Sequence, residues 1–275
     1  MKKLLLILIS LLLIGCKSEV IDRLNREVDH SADTQVEIYD KPVEVVVDNP
    51  LHDIYSCKFI SSYNFSKPVP KSDPIDDAYF TNVVMGGDSR MGSIALYSDL
   101  PSKGAEVYYV TSLSIWRVYD MKVDNGKGEA LFDLLAKSDK KNIYFIIGIN
   151  EINGMNMDVW RDEFDLFIKD LRKANSSANI YMILGYYPRK MSNISTADLK
   201  VAVDEENKRI AEVCKKYRVF YLDPNDSPLI GDDGLLKDEL TWDGVHLNEE
   251  GAKVFAEFIK THVYKEEKYV QEICE

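Results

Sequence analysis

The residues that build metal sites are scarce. The 275-residue chain has four histidines and four cysteines, with no CxxC pair and no cluster of the two types. Structural zinc needs such clustered ligands, so no metal is expected and no cofactor is implied. Basic clusters are missing as well. Beyond Lys2 and Lys3 the cations are scattered, and the formal net charge is −12, which excludes nucleic acid as a natural partner. No internal repeat or low-complexity segment interrupts the chain, which argues against an array or solenoid. The apolar run over residues 4–14 falls short of the ~20 residues that a membrane-spanning helix requires.

That short run has another meaning. Lys2-Lys3 followed by apolar residues 4–14 reads as the n- and h-regions of a signal peptide. It ends in Leu13-Ile14-Gly15-Cys16, which resembles a bacterial lipobox. The resemblance implies a signal peptide over residues 1–15 and lipidation of Cys16. The mature protein is then expected to be extracytoplasmic and lipid-anchored to a bacterial membrane. Residues 16–50 are polar and lack a sustained helical period, as a tether would. Within them, 35–47 alternates enough for a hairpin or edge strand. Of the remaining cysteines, Cys214 falls at helical spacing with Ile210, Val213 and Tyr217, as a buried small hydrophobe does. Cys57 and Cys274 are left as a candidate disulfide pair.

Residues 51–275 have the length and apolar content of one catalytic-sized domain. The stretch 51–80 carries aromatics and Pro68, Pro70 and Pro74, which suggests an irregular ordered wrap. From Asn82 onward strands and helices alternate. Short apolar runs at 83–85, 107–110, 143–147, 180–184 and 219–222 read as strands. Helical spacing appears at 130–136, through Trp160, Phe164, Phe167, Ile168 and Leu171, over 197–217 through Leu199, Val201, Ile210, Val213 and Tyr217, and over 248–262. Continuous apolar strands alternating with helices predict an α/β fold. The expected form is a flavodoxin-like three-layer α/β/α sandwich with a mainly parallel sheet, its ligand site at the carboxyl ends of the strands.

Three pieces of sequence carry chemistry. In Val83-Val84-Met85-Gly86-Gly87-Asp88-Ser89-Arg90 an apolar strand stops at two glycines and hands a serine to the start of a helix. This is a common way to present a nucleophile. Gly148-Ile149-Asn150-Glu151 follows the strand at 143–147. Asn150 there either caps a turn or donates to a developing oxyanion. Asp243-Gly244-Val245-His246 lies in a loop before the last helix. A turn would bring the carboxylate to the imidazole Nδ1–H and leave Nε2 free to accept a proton.

In this order and context the three pieces resemble the SGNH hydrolases, the GDSL esterase/lipase superfamily, over roughly residues 82–262. The resemblance implies Ser89 as nucleophile, His246 as base and Asp243 as its orienter. It also implies an oxyanion hole built from Asn150 and the backbone N–H of Ser89. Asp88 is expected to cap the helix. Two departures stand out. Gly-Asp-Ser-Arg replaces Gly-Asp-Ser-Leu, so Arg90 is expected either in an ion pair with an acid such as Asp88 or Glu151 or as a substrate contact. The strand at 107–110 is followed by Thr111-Ser112-Leu113-Ser114, without the family's glycine, so Ser112 is the candidate for the remaining backbone donor.

The implied activity is that of a serine esterase cleaving an O-acyl, chiefly O-acetyl, ester without metal or cofactor. For an outward-facing enzyme an acylated glycan is the favoured substrate, with other esters open. Trp116, Trp160, Trp242, Tyr186 and Tyr187 are aromatics that could line a sugar site; Trp160 fits better as part of its helix's buried face, and Trp242, beside the Asp243–His246 loop, is the best candidate. Two alternatives remain: an O-acyltransferase on envelope glycan, and a non-catalytic surface lipoprotein that retains the fold.

Overall fold

The computed structural model describes residues 63–265, apart from 127, 153–155 and 176–177. The lipobox with Cys16, the tether, the first part of the wrap, Cys57 and Cys274 lie outside the described residues. Among the described residues no helix is long and apolar enough to cross a membrane.

The strands are β1 (Val83–Gly87), β2 (Glu106–Tyr109), β3 (Asn142–Ile146), β4 (Asn179–Ile183) and β5 (Phe220–Leu222). The principal helices are α1 (Ser89–Tyr97), α2 (Leu131–Ala136), α3 (Met157–Ala174), α4 (Thr196–Tyr217) and α5 (Glu249–Lys260). All strand pairs are parallel, in the order β2-β1-β3-β4-β5. The chain leaves β1 toward β2 on one side and resumes at β3 on the other. That reversal opens a crevice beyond the carboxyl ends of β1 and β3, where doubly wound sheets bind ligands.

Helices cover both faces. On one, Val83, Met85, Tyr144, Ile146, Tyr181, Ile183 and Leu222 join Met91 and Ile94 of α1 and Phe255 and Ile259 of α5 in one apolar core. On the other, Leu131 and Leu135 of α2 close over Gly86, and Phe167 of α3 packs on Phe145 with ring centroids 4.6 Å apart. In-register pairing lines up Tyr144, Tyr181 and Phe220 on neighbouring strands. Their rings stack at 4.5 and 5.0 Å. The ladder therefore adds aromatic contact energy along the sheet as well as burial.

Residues 63–80 are ordered. Val69 N donates to Tyr221 O at 2.8 Å, and the amides of Ser72 and Ile75 donate to Thr261 O and Lys260 O. The wrap thus engages the β5 edge, where unpaired backbone groups would otherwise be open. β2, β3 and β4 each start one residue before the apolar run. The reason is visible at Asn142 and Asn179: they pair across β3 and β4, with Asn179 Nδ2 donating to Asn142 Oδ1 at 3.1 Å. Hydrophobicity alone does not reveal such polar pairs. Val201, read above as part of the inward stripe of α4, is 62% exposed, while Val203 is buried. Counting four from Leu199 reaches Val203; two residues lead to the other side of a 3.6-residue turn.

Candidate active site

β1 is buried along its whole length. It ends at Gly87, where nothing larger fits: a Cβ there would lie 2.5 Å from the carbonyl oxygen of Ile146. Asp88 caps α1, its Oδ1 accepting from Arg90 N at 2.9 Å. Ser89 is therefore the first helical residue, a position whose amide has no intrahelical acceptor.

Ser89 Oγ lies 2.8 Å from His246 Nε2. His246 Nδ1 lies 2.7 Å from Asp243 Oδ2. An ionised carboxylate only accepts, so Nδ1–H donates to Asp243 and Nε2 accepts from the Ser89 hydroxyl. The carrying loop is a tight turn. Thr241 and Leu247 form an antiparallel bridge, Trp242 N donates to His246 O at 3.0 Å, and Gly244 takes φ 96°. Asp243 Oδ1 accepts from the amides of Val245 and His246, each at 2.9 Å. Burial would raise the Asp243 carboxyl, but those amides and the imidazole outweigh it and hold it below its usual value. Its ionised form therefore persists as pH falls to that lowered value. Tyr186 Oη donates to Val245 O at 2.6 Å and fastens the turn to the body of the protein.

The strand ends bring the remaining candidates alongside. Gly87 is in register with Tyr109 of β2 and Ile146 of β3. After β2, Ser112 adopts φ 57°, the left-handed region that glycine occupies freely and serine at a cost of roughly 1–2 kcal/mol. Its neighbours are engaged: Thr111 N donates to Asp124 Oδ2 at 2.8 Å and Leu113 N to Val110 O at 3.3 Å. Serine thus stands in a backbone shape that glycine adopts freely. After β3, Asn150 Nδ2 donates to Leu113 O at 2.8 Å. An amide has two N–H bonds, so one hydrogen remains for another acceptor.

Arg90 is 1% exposed. Its Nε and Nη2 bind Asp88 at 3.0 and 2.7 Å, and its guanidinium lies 5.9 Å from the Tyr186 ring centre. Burial would lower the guanidinium, but Asp88 more than compensates and keeps it charged. The expectation of Arg90 as a substrate contact is corrected here: it is enclosed and spent on the ion pair. Trp160 and Tyr186 are buried too, which removes them as sugar-stacking surfaces. Trp242 is 64% exposed and meets Tyr97 at a centroid distance of 6.3 Å. His262 lies elsewhere, its Nδ1 on Phe258 O at 2.7 Å.

Two acidic residues stand near the Asp88–Arg90 pair: Glu151, named above only as an alternative partner for Arg90, and Glu206, given no role above. Glu151 is 4% exposed, and burial pushes its carboxyl up to about 7. Glu206 is 1% exposed, neither carboxyl oxygen has a hydrogen-bond partner among the described residues, and burial pushes it up to about 8. Glu206 sits on the buried stripe of α4 with Leu199, Val203, Ile210 and Val213. A lone acid on an apolar helical stripe is the signal by which it was discoverable. Its carboxyl fills the space beside Gly148 (φ 119°), where a Cβ would fall 1.2 Å from Oε1. Among the described residues no three His, Cys, Asp or Glu side chains are grouped so as to hold a metal ion.

Comparison with known proteins identifies the family and the fold. Residues 93–254, more than half the chain, match the GDSL-like lipase/acylhydrolase family. A structure described as a GDSL-like lipase from Bacteroides thetaiotaomicron superposes with a TM-score of 0.51 at 14% identity, covering 74% of this chain and 92% of that one. One described as an acylhydrolase from Bacteroides fragilis gives 0.50 at 17% identity, covering 75% and 92%. At such identities they speak for the fold alone. No curated protein matches the chain. The chain belongs to the GDSL-like lipase/acylhydrolase family and is a serine ester hydrolase.

Proposed function

We propose that this enzyme removes O-acyl groups, chiefly O-acetyl, from carbohydrate, working outside the cytoplasm from a lipid anchor on Cys16. The observation that carries the catalytic part is the continuous chain Ser89 Oγ, His246 Nε2, His246 Nδ1, Asp243 Oδ2, with links of 2.8 and 2.7 Å. In the first step His246 takes the Ser89 proton as Oγ attacks the ester carbonyl. The tetrahedral oxyanion receives hydrogen bonds from the amides of Ser89 and Ser112 and the free N–H of Asn150. Collapse expels the sugar hydroxyl, which takes the proton from His246 and leaves an acyl-serine. His246 then deprotonates a water, which attacks the acyl carbon and releases the carboxylic acid and Ser89. The carbohydrate part rests on Trp242, exposed one residue before Asp243, where a flat aromatic face can receive a sugar ring.

Ser89→Ala should abolish hydrolysis of p-nitrophenyl acetate while leaving circular dichroism unchanged; equal rates in both proteins would sink the assignment. Acetate release from a panel of acetylated polysaccharides tests the substrate class, and failure on every glycan with activity on lipid esters would replace it. An acyl transfer product with added glycan acceptors would make the enzyme a transferase. Cys16→Ser should move the full chain from the membrane to the soluble fraction, and unchanged partitioning would remove the anchor.

A further inference from the structure

The loop after β2 and the loop after β3 are joined by two hydrogen bonds from adjacent residues. Asn150 Nδ2 donates to Leu113 O at 2.8 Å. Glu151 Oε1 accepts from Ile115 N at 2.6 Å and from the Trp160 indole Nε1 at 3.3 Å. Ile115 opens a short 3-10 turn, Ile115–Arg117, whose preceding residue Ser114 provides no side-chain cap. The Glu151 carboxyl thus does from across the crevice what a local cap would do. It is held from its own side by Trp160, which is fully buried, and by its amide on Gly148 O at 2.9 Å.

We propose that Glu151 is a positioning residue for the oxyanion site: its buried carboxyl clamps the loop carrying Ser112 to the loop carrying Asn150, fixing the separation of the two donors. This rests on the reading above that Ser112 and Asn150 serve the oxyanion. The need for a clamp is visible in the backbone. Ser112 is held at φ 57° without glycine's freedom, so the loop has a conformational reason to relax. The Asn150 amide would follow, because its anchor, Leu113 O, belongs to the same loop. Donors must sit close to the developing charge to act, and losing one costs about 10²–10³-fold in kcat. Partial displacement of two donors should fall somewhat below that, at about 10–100-fold.

The test is steady-state hydrolysis of p-nitrophenyl acetate by the full chain. Glu151→Leu removes the acceptor and keeps the volume. It should lower kcat about 10–100-fold with KM changed less than about threefold, since the oxyanion forms only in the transition state. Glu151→Gln keeps an oxygen acceptor for Ile115 N and should retain activity within about threefold of wild type. In an Asn150→Ala background, Glu151→Leu should cost much less than in wild type, because the two act through one set of donors. Wild-type kcat in Glu151→Leu, an equal loss in Glu151→Gln, or full additivity with Asn150→Ala would each overturn the proposal. If Glu151→Leu does not fold, Glu151→Asp, which draws the carboxylate back from Ile115 N, takes its place in the same cycle. Ser89→Ala separates the readings: if it is inactive while the Glu151 variants behave as wild type, only the clamp is wrong; if it is active, the esterase reading fails and the clamp with it.

Discussion

Glu206→Gln should make the protein more stable, and increasingly so as pH rises. Glu206 is 1% exposed and its carboxyl oxygens lack partners among the described residues. Burial moves it from the ordinary 4.5 to about 8, against the pull of Arg90 and with Glu151 and Asp88 pushing the same way. Between those values the native state keeps a proton that the unfolded chain has released, so stability falls with rising pH by up to about 1.4 kcal/mol per unit. Below 4.5 both states are protonated and above 8 both are ionised, and the slope vanishes. Glutamine has nearly the same shape and cannot titrate. From pH 5.5 to 7.5 the stability gap should therefore shift by about 2–3 kcal/mol in favour of the variant. Glu151, pushed up to about 7, titrates in both proteins and cancels to first order. Urea unfolding at pH 5.5, 6.5 and 7.5, with midpoint and slope fitted at each, reads the gap directly. A gap independent of pH would refute the reasoning. It would mean that Glu206 is ionised across this range in the native protein, as in the unfolded chain, and held by Arg90.

Asp243→Asn should keep the fold but lower kcat by about 10³–10⁴-fold, because an amide facing Nδ1 favours the wrong imidazole tautomer; a loss under tenfold would show that Asp243 does not orient His246. Gly148→Ala should cost about 2–5 kcal/mol, from strain at φ 119° and from a Cβ meeting Glu206. In chemical denaturation part of that cost should disappear in a Glu206→Ala background, and strict additivity would refute the contact.

The wrap over residues 63–80 shows how far pattern reading reaches. Its prolines and aromatics mark it as ordered and irregular, yet nothing local says that Val69 would seek the β5 edge. Arg90 shows the opposite limit. Its sequence neighbours include the acid it pairs with, but whether it faces solvent or core depends on Tyr186 and Glu206, about a hundred residues away, closing over it. Ser112 shows a third. Thr111-Ser112-Leu113 contains no residue that demands a left-handed turn; partners outside it, such as Asp124 on Thr111 and Asn150 on Leu113, hold its neighbours.

What was legible in the chain alone was whatever a local pattern encodes. Apolar runs and helical spacing specify five strands and their covering helices, because burial rewards those periods wherever the chain lies. The three short motifs supply the serine, the histidine and the aspartate proposed as nucleophile, base and orienter. Tertiary structure decided what depends on distance between remote residues. It brought Ser89 and His246, 157 positions apart, to 2.8 Å, and it buried Arg90, Glu151 and Glu206. Burial and cross-loop hydrogen bonds depend on where remote strand ends meet, and no window of sequence contains that distance.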